Sequence, residues 1–403
     1  MANPARSCRM LGAIALPDAS LSALGNDGNH HPYLLAELEE FRLQGGSGQW
    51  PYSNQDGWGM SGYHQFESFV EIQTVRSELE AYEDEDYYFH TSNLLAPDQV
   101  NVLMGHLRQT SSGADGIENP HPFIYTTPSG DTYSFGHNGD LNKSDLRDLI
   151  GDEWLALHPP QTYGGGAWDG AGWSDVVDSE LYFLWLVKNI EELQSVPDGI
   201  LYALTILEAQ QPYMAKNFLF SDGQDLYGYR RAITSDIYYY DALDVDNIPA
   251  HLSPGNHRTI MSTPPPEGPV SELPWVELPD RTLLIFKANG DTELHTVNPT
   301  SVTNAEMHIP GQSNLAHIYP NPFNGNTHIS VALEHGGEYS IHILNSRGQE
   351  IFSQMHHVGS KGHYEFAWRG QDDRGQALDS GCYFFLLRQD SKTIATGKLL
   401  LLK

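Results

Sequence analysis

The feature that most limits what this chain can fold into is a change of pattern after Asn298. Upstream, strand-like runs stand at both ends of the segment with helical runs between them. Downstream, about six short alternating runs follow one another: THISVAL, YSIHIL, QEIFSQM, HYEFAW, CYFFLLR and TGKLLLL. Turn signals at GG, SRG, GSKG, DDRG and DSG separate them, and short, regular strands punctuated in this way predict an all-β sandwich. A chain of 403 residues exceeds one typical domain. The predicted division is a leader or propeptide remnant at 1–7, a first domain at 8–298, a linker at 299–314 and the sandwich at 315–403.

Within the first domain, CRMLGAIAL at 8–16 reads as a buried strand and YLLAELEEFRL at 33–43 as a helix. DGWGMSGY at 56–63 reads as a turn entering a strand, and the acidic run at 78–86 as a solvated helix or loop face. VNVLMGHLR at 100–108 is a strand that carries polar residues to its far end, and FIYTTPSGDTYSFGHNGDL is a hairpin. A short helix is predicted over 144–150, an inserted Gly/Trp-rich loop over 162–173, and helices over 178–193, with Asp178 as N-cap, and 198–209. Hairpins at 218–229 and 282–297 complete an α+β layered pattern.

Twenty-two Lys and Arg stand against 52 Asp and Glu, a formal charge of −30, which repels phosphate backbones and anionic lipid surfaces. Nucleic acid is therefore not an expected partner. No apolar run approaches the roughly 18 residues that span a bilayer, so no membrane span is expected. The two cysteines, Cys8 and Cys382, fall in different predicted domains, which leaves no disulfide framework.

Cys8 is the candidate nucleophile. If the bond before it were cut, the same residue would carry a thiol and an α-amine whose ordinary pKa of roughly 7.7–8.0 suits a base at neutral pH. The alternative is a buried strand cysteine. Acyl transfer by a thiol needs donors aimed at the developing oxyanion, and the Asn138 side-chain amide with the Gly139 N–H fits that need, although Asn-Gly is also an ordinary turn. Arg108 could grip a carboxylate in bidentate fashion, and Asp178 could receive an ammonium; a surface ion pair and a helix cap are their plainer readings. His106, His121 and His137 lack the spacing of metal ligands and are read as structural. No metal or cofactor is implied.

Residues 1–7 are polar and lack the apolar core of a signal peptide, yet Ala5 and Ser7 place small residues where signal peptidase prefers them. The expectation is a truncated start, with a short propeptide removed by other means as one alternative. In the other, the seven residues stay and the site never forms.

CRMLG at 8–12, DGWG at 56–59, HLRQTSSG at 106–113, NPHPF at 119–123, FGHNGDL at 135–141 and DSE at 178–180 stand in order. Together they resemble the motifs of the class II glutamine amidotransferases, N-terminal-nucleophile (Ntn) hydrolases, in their small stand-alone branch. The resemblance implies a four-layer αββα sandwich. It also implies Cys8 as nucleophile with its own amine as base, Asn138 and Gly139 as oxyanion hole, Arg108 on the substrate carboxylate, Asp178 on the substrate amine, and Ser111 as a further substrate-binding residue. Ser111 replaces the family's usual threonine, and Ser-Thr-Pro at 262–264 replaces its usual Ser-Glu-Pro.

The C-terminal region, through YPNPFNGNTHISV, ILNSRGQEI, LDSGCYFF and TGKLLLLK, is similar to the Ig-like type IX secretion sorting domains of Bacteroidetes-like bacteria. That implies an address to the secretion machinery and a secreted or surface-attached protein. The expected activity is hydrolysis of the side-chain amide of glutamine or a related γ-glutamyl compound through a cysteine thioester. An amidase for peptide or cell-wall amides, or a non-catalytic surface binding protein, are the alternatives.

Overall fold

The first strand, β1 (Arg9–Ala15), is buried along all seven residues because it is covered on both faces. Leu11, Ala13 and Ala15 pack under helices, whereas Met10 and Ile14 pack against a second sheet. A strand sandwiched in this way reads as a continuous apolar run instead of an alternating one. The computed structural model describes residues 8–22, 32–46, 54, 56–66, 69–96, 99–109, 121–161, 167–231, 236–252, 255–266, 268–298, 316–321, 323–333, 335–345, 350–378, 380–389 and 392–401. They fall in two compact units, Met1–Val302 and Thr303–Lys403.

In the first unit β1 is followed by α1 (Pro32–Gln44), β2 (Trp58–Gln65), β3 (Val70–Ser77), α2 (Tyr87–Leu94), β4 (Val100–Leu107), β5 (Phe123–Thr126) and β6 (Thr132–Gly139). Helices α3 (Lys143–Ile150), α4 (Asp152–Leu157), α5 (Asp178–Leu193) and α6 (Val196–Gln210) come next. The remaining strands are β7 (Lys216–Ser221), β8 (Leu226–Arg230), β9 (Tyr238–Tyr240), β10 (His257–Met261), β11 (Val276–Glu277), β12 (Thr282–Phe286) and β13 (Thr292–Thr296).

These strands form two antiparallel sheets, ordered β11-β9-β10-β1-β4-β2-β3 and β13-β12-β8-β7-β6-β5. Met10, Tyr63, Val102 and Met104 of one sheet meet Leu219, Leu226, Leu284 and Phe286 of the other. The Tyr63 hydroxyl also reaches across, to the carbonyls of Thr132 and Ser221, each at 3.1 Å. On the outer faces, Leu34, Leu38 and Phe41 of α1 and Tyr87 and Leu94 of α2 cover the first sheet. Leu181, Phe183, Leu186, Ala203 and Leu207 of α5 and α6 cover the second. The expected α+β fold of αββα layers is borne out.

The local expectations hold for the strands and helices that carry the predicted motifs, and they fail where exposure masks a periodicity. β3 lies at a sheet edge and is largely exposed or half-exposed, so no alternation marks it. The acidic run at 78–86 is neither helix nor fully solvated. It forms turns, and Asp84 is buried and accepts a hydrogen bond from Trp58 Nε1 at 2.9 Å. The loop before α5 is pinned at residues 167–177, where the Lys143 ammonium donates to the carbonyls of Trp173, Ser174 and Val176 at 3.1, 3.1 and 2.8 Å. The rest of the predicted insertion, 162–166, lies outside the described residues.

The second unit is a sandwich of two antiparallel sheets. β14 (Ala316–Tyr319), β15 (Thr327–Leu333) and β18 (Gly362–Trp368) form one. β16 (Gly337–Leu344), β17 (Glu350–Val358), β19 (Gly381–Gln389) and β20 (Lys392–Leu401) form the other, in the order β17-β16-β19-β20. Ile329, Val331, Ile341, Ile343, Trp368, Phe385, Leu387 and Leu399 fill the space between them. β14, built on AHIY, is additional to the six predicted strands. The predicted linker lies outside the described residues, as does the side chain of Cys382.

Candidate active site

Cys8 immediately precedes β1, whose first residues pair with the end of β4: Arg9 faces Leu107 and Met10 faces His106. On the other side of β1, Ser262 clamps Met10 twice. Its Oγ accepts from Met10 N at 3.0 Å and its own N–H donates to Met10 O at 3.0 Å. The Cys8 thiol is thereby brought to Gln109, whose N–H donates to Sγ at 3.3 Å while Sγ donates to the Gln109 carbonyl at 3.5 Å. Burial pushes the thiol above its ordinary value, opposed by the Gln109 N–H and the charges of Arg108 and Arg9. At neutral pH this sulfur is therefore a thiol, and it needs a base close at hand to become a nucleophile.

Arg108 lies just beyond β4 and is 5% exposed. Its backbone is held by the turn entering β2: Arg108 N donates to Gly57 O at 2.9 Å, and Asp56 N to Arg108 O at 3.4 Å. Gly57 sits at φ +102 with Ser77 O only 2.5 Å from where a Cβ would be, so both its conformation and its surroundings demand glycine. The DGWG motif thus acts as a bracket for the arginine.

The other sheet supplies the candidate oxyanion pair. β6 ends at Asn138 and Gly139, and the two sheets are joined here by a 3.1 Å hydrogen bond between His106 Nε2 and His137 O. Gly139 is required for space and not for a turn: a Cβ would lie 2.1 Å from Ala215 O and 2.6 Å from His137 Nε2. In the structure Asn138-Gly139 closes a strand, so the ordinary turn reading fails.

Asp178 is the first residue of α5, and the N-cap is Val177, which corrects the predicted cap. Its Oδ2 accepts from Leu141 N at 2.8 Å, tying α5 to the segment that leaves Gly139. Asp140 lies close enough that burial and then the Asp178 charge hold its carboxyl above the usual range. Asp140 and Asp178 thus stand near one another beside Asn138 and Gly139. Ser111 and the rest of 110–120 lie outside the described residues.

Behind the site, the rings of His106 and His121 lie 4.0 Å apart, and His137 Nδ1 meets Ser179 Oγ at 2.8 Å. His106 Nδ1 and both ring nitrogens of His121 are buried without hydrogen-bond partners among the described residues. Burial lowers His106 to about 3 and His137 to about 4, and His121 well below its ordinary value. All three are neutral when folded. Because the unfolded chain takes protons near 6.5 and the folded one does not, their stabilising contribution is complete above pH 6.5 and is lost as pH falls toward 4. The Tm of the first unit is expected to drop across that window by on the order of 10 °C. His121→Leu is expected to flatten the slope in a thermal-melt series, and an unchanged slope would remove His121 from this set.

Sequence reasoning missed the support of the site: β10, Ser262 and Asp140. Ser262 was visible only as part of a departure from the family's Ser-Glu-Pro, and β10 is a five-residue run, HRTIM, with a buried arginine in it.

The family described as "Glutamine amidotransferases class-II" matches residues 35–307, a span that begins downstream of Cys8, and the FlgD Ig-like domain matches 319–392. An uncharacterized protein of Methanocaldococcus jannaschii is 32% identical over 132 residues, 32% of each chain; the chain thus spans about a third of that curated relative. Among solved structures, the Bacillus subtilis glutamine phosphoribosylpyrophosphate amidotransferase, with ADP and GMP, gives a TM-score of 0.46 at 15% identity, covering 73% of this chain and 50% of that one. A glutamine aminotransferase class-II domain protein of Silicibacter pomeroyi gives 0.40 at 19%, covering 72% and 100%. With its family match extending over more than half its length, and with an Ntn-hydrolase-like first unit followed by an Ig-like one, the chain belongs to the class II glutamine amidotransferases.

Proposed function

We propose that this protein, once the Ser7–Cys8 bond is cut, hydrolyses the side-chain amide of glutamine or a related γ-glutamyl compound. The observation that carries the reading is the Cys8 thiol at the start of β1, held by the Gln109 N–H beside Arg108. The freed α-amine takes the thiol proton, and the sulfur attacks the amide carbon. Asn138 and Gly139 receive the oxyanion, the C–N bond breaks with a proton passing to the departing ammonia, and water then opens the thioester. Arg108 holds the substrate carboxylate, while Asp178, with Asp140, holds the ammonium. Among its described residues the second unit is a β-sandwich around an apolar core, and hydrolysis is the reaction favoured over transfer within this chain.

The test is N-terminal sequencing and intact mass of the protein from its native host, followed by labelling with an electrophilic glutamine analogue. A chain that starts at Cys8 and takes the label on Cys8 supports the reading. A chain that keeps residues 1–7 and takes no label overturns it. Arg108→Ala is expected to raise the KM for glutamine by at least about 30-fold, as loss of a charged, bidentate partner does. An unchanged KM removes Arg108 from the carboxylate role.

The second unit is proposed to address the protein to the type IX secretion machinery and the cell surface, on its resemblance to sorting domains. Removing residues 315–403 should trap the protein inside the cell envelope in fractionation, and normal surface delivery would sink this assignment.

A further inference from the structure

Beneath Gly139 lies a charged cluster that the reaction itself does not use. Lys216 and Glu208 are both 0% exposed, and Lys216 Nζ stands 3.2 Å from Glu208 Oε1. The same carboxylate accepts from the Tyr229 hydroxyl at 2.9 Å and from Arg231 Nε at 3.3 Å, with Arg281 Nε at 3.5 Å. The cations have a second task. Lys216 Nζ donates to the carbonyls of Gln211 and Met214, and Arg231 donates to that of Pro212. Three carbonyls of the turn between α6 and β7 are therefore fixed by the fully buried Lys216 and the partly buried Arg231, which pair with Glu208 and, for Arg231, also with Asp280.

That turn is what the residues leaving β6 rest on. Gly139 faces Lys216 in the β6–β7 register, and Asp140 N donates to Ala215 O at 3.3 Å. Asn142 N donates to Gln211 Oε1 at 2.9 Å, and Gln211 Nε2 donates back to Asn142 O at 3.4 Å. The missing side chain of Gly139 and the Ala215 carbonyl leave no slack between them. A turn that shifted by an ångström would carry the Gly139 N–H with it, and oxyanion donors tolerate little misplacement.

We propose that Lys216 and Glu208 are positioning residues for the oxyanion pair: the buried ion pair clamps the 211–216 turn so that Ala215 seats Gly139. This rests on the hydrolase reading for its effect on turnover, but not for its effect on structure. Lys216→Met is the first variant, since Glu208 keeps Tyr229, Arg231 and Arg281. Glu208→Gln, nearly isosteric, is the second should the first not fold.

In the full chain, hydrogen exchange in the peptide covering 137–142 is expected to accelerate at least tenfold, while peptides of β1 and β4 stay unchanged. The kcat on glutamine is expected to fall by roughly 10- to 100-fold, with KM within threefold of the parent. Alkylation of Cys8 by iodoacetamide, which needs no oxyanion hole, should stay within twofold. Unchanged exchange at 137–142 in a folded variant overturns the proposal, and so does a uniform rise across all peptides, which marks general loosening. Should the parent protein release no ammonia from glutamine, the hydrolase reading falls by that result alone, and the exchange data still decide the clamp.

Discussion

Replacing Cys8 with alanine is expected to abolish ammonia release from glutamine, by at least about 10³-fold, because no other nucleophile stands in for a lost covalent centre. The chain should fold as before. Cys8 sits at the mouth of β1 and not in the core of the strand, so the substitution removes only the sulfur and its two contacts with Gln109. The same loss is expected of the unmodified thiol when residues 1–7 are retained. Burial holds that thiol above its ordinary value, and a peptide nitrogen cannot take its proton. Cys8→Ser separates the two requirements: it keeps the amine and a weaker nucleophile and should leave a small residual rate. Ammonia release by Cys8→Ala at more than a tenth of the parent rate would place the chemistry elsewhere.

Gly139→Ala is expected to have the next largest effect, a fall in kcat of about 10²- to 10³-fold, the range for losing one oxyanion donor. The added Cβ would lie 2.1 Å from Ala215 O and 2.6 Å from His137 Nε2, both part of rigid surroundings. Since the carbonyl cannot retreat without breaking the turn, the strand end must rotate away. The residue 139 N–H would then turn away from its present direction, beside the Asn138 side chain. Iodoacetamide should still alkylate Cys8 at close to the parent rate, which separates a lost oxyanion hole from a lost nucleophile. A variant that keeps near-parent turnover would show that the Gly139 N–H is not a donor in the reaction.

The layers of the first unit and the motif positions were legible in the sequence because each rests on local chemistry. CRMLGAIAL reads as a continuous apolar run because both of its faces are covered, and HLR and HNG stand out because they set polar residues at the ends of strands. What was not legible depends on residues distant in the chain. Ser262 matters through its two hydrogen bonds to Met10, 252 positions away. Lys216 falls just outside the hairpin read at 218–229, and only the fold places Glu208 beside it, with both side chains fully buried. Asp178 read as a cap because Asp opens many helices; its partner turned out to be the Leu141 backbone, 37 residues upstream. β3 and α2 lacked periodicity because much of their surface is exposed.

Cys8, at the start of β1, and Asn138-Gly139, at the end of β6, belong to different sheets, and between those sheets lies mostly hydrocarbon and thioether: Met10, Met104, Leu219, Leu226 and Leu284. The spacing of Cys8 from Asn138-Gly139 is thus the jaw opening of a vice whose shims are apolar side chains. Methionine is a compliant shim, able to fill uneven space in several rotamers. A lineage could retune reaction rate or substrate girth by exchanging these fillers, leaving every polar residue of the site untouched.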